Sequence, residues 1–73
     1  MDNELLATYY ILHRVFNVYG CWNEEATDEK FDFYDVYENG KSGEMQHCIN
    51  DGEPFFKMPT RNDIKKFIKT NNL

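Results

Sequence analysis

Leu5, Tyr9, Leu12, Phe16 and Tyr19 recur at spacings of four, three, four and three, the repeat of one face of an α-helix. No other feature limits the fold as strongly, because it commits the whole N-terminal segment to one element. The spacing predicts a helix that opens after an Asp2-Asn3 cap and stops at Gly20. Val15 widens the apolar face. Leu6, Tyr10, His13 and Asn17 form a second row at the same spacings, roughly 100° around the axis, and Ile11 and Val18 add apolar surface on the other flank. A helix that is apolar nearly all round is buried nearly all round. In a chain of 73 residues, the second row needs either a sheet that wraps it or another molecule. Tyrosine and tryptophan are frequent interface anchors. The expected interface is therefore Leu6, Tyr10, His13 and Asn17, with Trp22 just beyond the helix end. Its simplest form is a homodimer through this first helix, since a twofold axis matches the patch to itself.

The remaining segments read as short elements. NEEATDEK, residues 23–30, sets acids against acids at i,i+4 and suits an acidic loop. KFDFYDVY, residues 30–37, is a strand by its aromatic and β-branched content, its change of phase explained by a bulge near Phe33 or by cover on both faces. ENGKSG is a turn through its Asn-Gly pair, EMQHCI a second strand, NDG a further turn, and EPFFKM a third strand that lies at an edge or begins at Pro54. Thr60 opens a last helix, its hydroxyl placed to cap the amide of Asp63, with Pro59 and Ile64 suited to a hydrophobic staple. Ile64, Phe67 and Ile68 form its buried stripe, while Lys65, Lys66 and Lys69 face water. The expected fold is a single α+β domain over residues 1–73. It consists of an N-terminal helix, a three-stranded antiparallel β-meander and a C-terminal helix, with both helices packed on one face of the sheet.

Charge is unevenly spread. Residues 1–56 carry twelve acids against three bases, a net of −9, and residues 57–73 carry +4. The overall −5 repels phosphate, so direct nucleic-acid binding is disfavoured. The opening MDNELL is acidic, unlike a secretory leader, and the longest apolar stretch is too short and too polar to span a bilayer. The expected location is cytoplasmic, away from membranes, with Cys21 and Cys48 reduced.

Candidates for chemistry are few. His13, Cys21, His47 and Cys48 lack the paired spacings of a zinc site; His47 and Cys48 are adjacent on a strand and point to opposite faces. A nucleophilic thiol needs nearby positive charge, whereas residues 21–56 are strongly acidic. The four glycines sit singly, so no phosphate-cradling loop is present. We expect no enzyme, no metal and no cofactor. The acidic residues Glu24, Glu25, Asp28, Glu29, Asp32, Asp35, Glu38 and Glu44 form the other candidate surface. Displayed on a rigid sheet they could imitate DNA phosphates and block a nucleic-acid-binding enzyme; the alternative is a solvated face that keeps the protein soluble. The expected function is a small acidic regulator or inhibitor, of the kind bacteriophages encode, acting on another protein. A homodimeric structural protein and a metal or thiol protein are the lesser alternatives.

Overall fold

The computed structural model describes residues 2–22, 31–41 and 45–73. Strands β1 (Asp2–Ile11), β2 (Arg14–Trp22), β3 (Phe33–Glu38) and β4 (His47–Cys48) precede a single helix, α1 (Arg61–Thr70). The strands form one antiparallel sheet in the order β1-β2-β3-β4.

The expected N-terminal helix is instead the β1–β2 hairpin. With it goes any homodimer through such a helix, and among the described residues α1 is the one helix packed on the sheet. The physical reason is side-chain shape. Eight of the twelve residues from 8 to 19 are β-branched or aromatic, and these lose χ1 freedom against the preceding turn of a helix but pack well on a pleated surface. The same segment also carries a period of two: Phe16, Val18 and Gly20 are buried on one face of β2, and Val15, Asn17 and Tyr19 alternate with them.

Leu12 and His13 make the two-residue connection, with φ of 52° and 66°. Two consecutive left-handed residues match the twist of a tight hairpin, a position that normally selects Asn-Gly. Leu12, expected on the buried face of a helix, is 70% exposed. Left-handed backbone costs an L-residue with a Cβ roughly 1–2 kcal/mol. Replacing the pair by Asn-Gly (Leu12→Asn, His13→Gly) is expected to stabilise the protein by about 1–2 kcal/mol, read as a higher urea midpoint at unchanged slope. A lowered midpoint would show that the apolar contact of Leu12 outweighs the backbone strain.

One face of the sheet carries the core. Ile11, Phe16, Val18 and Val36 pack against Ile64 and Ile68 of α1, with Ala7, Tyr9, Ile49 and Phe55 around them. The register places Tyr9 opposite Phe16, and Ala7 and Val36 on either side of Val18, so these side chains share a face. The helix forms as its sequence predicts. The Thr60 hydroxyl accepts from the Asp63 N–H at 3.2 Å, the Asp63 carboxylate accepts from the Thr60 N–H at 2.9 Å, and Pro59 and Ile64 are both buried.

The outer edge of β3 departs from the expected meander. The second expected strand shrinks to His47–Cys48, and the third to a single bridge between Tyr34 and Phe55. Pro54 lacks the N–H that would extend pairing beyond Phe55. The gap between β4 and the bridge is filled by a side chain. Asn50, 1% exposed, accepts the Val36 N–H at 2.9 Å and donates to the Tyr34 carbonyl at 3.2 Å. Its amide thus stands in for a strand peptide on β3. At the other end, Gly20 lies within β2 rather than ending a helix, and the Phe31 ring occupies the space above it.

Candidate functional site

The sheet face opposite α1 is built from residues that pair across the strands. Its rows are Tyr10 with Val15, Thr8 with Asn17, Tyr37 and Cys48, Leu5 with Tyr19 and Asp35, and Cys21 with Phe33. Pairing places each row on one side because opposed residues project the same way. Helix α1 lies on the other side, leaving this face without a helix among the described residues.

Hydrogen bonds lock its polar groups together. The Thr8 hydroxyl donates to Asn17 Oδ1 at 2.8 Å, and Asn17 Nδ2 donates to Asn39 Oδ1 at 2.9 Å and to Gln46 Oε1 at 3.0 Å. Gln46 Nε2 then donates to the Tyr19 hydroxyl at 3.1 Å. The Tyr19 and Tyr37 rings meet edge to face with centroids 5.4 Å apart. Tyr10 and Leu5, 71% and 51% exposed, flank this array on β1. The result is a pre-ordered surface of tyrosines and amides.

Four of its titrating groups are shifted by burial. The Cys21 thiol, 2% exposed, is pushed up to about 11 by burial and by the Asp35 carboxylate, whose Oδ2 lies 3.7 Å from its sulfur. Cys48, Tyr37 and Asp35 are also raised, each chiefly by burial. Both cysteines are free thiols. At neutral pH Cys21 is almost wholly protonated, a poor starting point for a nucleophile. The raised value also sets a pH dependence. The folded state holds the Cys21 proton more tightly than the unfolded chain, so this contribution is complete below the ordinary thiol value near 8.5 and is lost as pH rises toward 11. Between pH 7 and pH 10 the stability difference between the native protein and Cys21→Ala is expected to shrink by about 1–2 kcal/mol, measured by urea titration at both values. A constant difference would show that the thiol is not held out of water.

The expected interface residues separate in space. Tyr10 and Asn17 lie on this open face. Leu6 is the extra residue at the register shift between Leu5 and Ala7, and His13 sits in the hairpin turn. Trp22 packs on Phe31 at 5.5 Å, beside Gly20 on the helix-covered face. Among the acids, Glu24, Glu25, Asp28, Glu29 and Glu44 lie outside the described residues. The Asp32 N–H donates to the Cys21 carbonyl at 2.8 Å. Asp35 and Glu38 point to opposite faces of β3. Glu38 accepts a two-pronged contact from Arg14, Nε to Oε2 at 2.6 Å and Nη2 to Oε1 at 2.7 Å. That guanidinium also lies 5.1 Å over the Phe16 ring and holds the Glu38 carboxyl below the usual range. Among the described residues, then, these carboxylates do not form one array. Nor does any group of three His, Cys, Asp or Glu side chains among them suit a metal ion.

Thr8, Tyr19, Tyr37, Asn39 and Gln46 are site residues that helical spacing does not reveal. A period of two across 8–19, combined with hairpin pairing, would have grouped the first two with Asn17. Comparison with protein families, curated proteins and solved structures finds no match for this chain. No helix among the described residues is long and apolar enough to cross a membrane.

Proposed function

We propose that this chain acts by binding another protein through the open face of its sheet, as a small cytoplasmic regulator or inhibitor that performs no reaction itself. The observation that carries this reading is the hydrogen-bonded run Thr8–Asn17–Gln46–Tyr19 beside the exposed Leu5 and Tyr10. Side chains already held in place lose little entropy on binding, and rigid tyrosines supply contact area at low cost. Leu5 and Tyr10 add exposed apolar and aromatic surface beside this polar run, and tyrosine is enriched at protein interfaces.

The test is capture of a partner by tagged protein from a bacterial lysate, followed by affinity measurement with the captured protein. Leu5→Ala with Tyr10→Ala is expected to weaken binding at least tenfold while the circular dichroism spectrum is unchanged, since both side chains lie outside the core. Undiminished binding by that variant would remove the open face from the interaction. A partner that ignores this variant but is released completely at about 0.5 M salt, where the Debye length falls to about 4 Å, would move the function to the carboxylates and to mimicry of a phosphate backbone.

A further inference from the structure

Strand β3 carries two carboxylates in contrasting settings. Glu38 lies opposite Phe16 on β2, and Arg14 fills the space between them, stacked over the ring and forked onto the carboxylate. Asp35 lies opposite Tyr19 in the same register, on the other face, with Tyr37 beside that ring. Here the guanidinium is missing. The hydrogen bond to Asp35 comes from the Cys21 thiol at 3.7 Å, a weak donor for a group with about four acceptor sites. Among the described residues, no arginine, lysine or histidine forms an ion pair with it, and the nearby Asp51 adds to the negative potential. The carboxylate is partly buried. Its lost hydration is therefore not replaced within the described chain.

We propose that Asp35, walled by Tyr19 and Tyr37, seats an arginine side chain of the partner protein, completing on the open face the constellation that Arg14, Glu38 and Phe16 complete on the other. This rests on the protein-binding reading above. Arginine suits the place better than lysine because its planar fork matches a carboxylate, stacks on aromatic rings and is more weakly hydrated.

The test is a titration of the ¹⁵N-labelled full chain with the peptide Gly-Arg-Gly-Arg-Gly at low salt, compared with Gly-Lys-Gly-Lys-Gly. Saturable shifts are expected at the amides of Tyr19, Asp35 and Tyr37, stronger for the arginine peptide. Asp35→Asn should weaken binding at least tenfold while its urea midpoint stays at or above that of the native chain, so the loss is not one of folding. Glu53→Gln, which removes the same charge from an exposed site, should bind as the native chain does. Absence of saturable shifts, or equal binding by Asp35→Asn, would overturn the proposal. The two readings can fail separately: a captured partner lost by Leu5→Ala/Tyr10→Ala but held by Asp35→Asn keeps the interface and removes the arginine seat. A partner held by both variants removes both.

Discussion

Replacing Asn50 with alanine is expected to lower stability by about 3 kcal/mol, enough to bring the melting temperature of a domain this size down by roughly 12–24 °C. The side chain is 1% exposed and makes four hydrogen bonds: it accepts from the Val36 N–H and the Cys48 thiol, and donates to the carbonyls of Tyr34 and Glu53. Alanine leaves the Val36 N–H without a partner at a site with no solvent exposure, a loss of about 1–3 kcal/mol. The emptied volume and the missing donor to Tyr34 add to it. Tyr34 keeps its bond from the Phe55 N–H at 3.2 Å, which limits the damage on that side. Asn50→Asp separates geometry from shape. It keeps an acceptor for Val36 but turns donors into acceptors facing two carbonyls, near Asp35 and Asp51. Its buried carboxyl would be raised above the ordinary value near 3.9, so its deficit should grow as pH rises through and above that value and ease on acidification. Urea titrations of both variants at pH 4 and pH 7 check this. A cost below about 1 kcal/mol for alanine would mean that water can replace the amide in the ladder.

Gly20→Ala is expected to cost about 2 kcal/mol, against the usual gain from replacing glycine in an extended strand. A Cβ at residue 20 would lie 2.5 Å from Cγ and Cδ1 of Phe31 and 2.7 Å from Cδ2. No rotation of a flexible tip relieves this, because the body of the ring is in the way. Phe31 must leave its place against Trp22 and Tyr34, where ring centroids lie 5.5 and 6.0 Å away, and re-exposing a phenylalanine forfeits roughly 1.5–3 kcal/mol. A double-mutant cycle with Phe31→Ala tests the mechanism. Once the ring is gone the methyl group has room, so the two losses should fall short of additivity by at least 1 kcal/mol. Trp22 fluorescence should change in Gly20→Ala and in Phe31→Ala alike. Additive losses would place the strain elsewhere.

Both residues show how the same letters carried different meanings. In the sequence Gly20 reads as the stop of a helix and Asn50 as part of an NDG turn. Their packing roles depend on Phe31, eleven positions later, and on Val36, fourteen positions earlier. Tyr10 and Asn17 were grouped on one face for a reason that did not survive. Seven apart, they share a face of a helix, but they share a face of the hairpin because Thr8 pairs with Asn17 and Tyr10 lies two residues along from Thr8. Trp22, grouped with them by proximity, went to the other side of the sheet, because it is five residues from Asn17 in a strand of period two. Asp35 and Glu38 are three apart, an odd number, so they project to opposite faces.

By itself the sequence determined the C-terminal helix, its Thr60–Asp63 cap, its buried Ile64 and Ile68, and the excess of negative charge in the first 56 residues. Those follow from signals that act within about four residues, where caps and side-chain spacing compete with nothing distant. Only the tertiary structure decided that residues 2–22 form a hairpin and not a helix, since their apolar positions satisfy both periods and no Asn-Gly marks the turn at Leu12-His13. It also decided which face α1 does not cover. Once α1 covered Phe16, Val18 and Val36, the alternation of the strands sent Asn17, Tyr19, Asp35 and Tyr37 to the opposite side. Strand pairing is non-local, and one choice of register assigns every side chain at once.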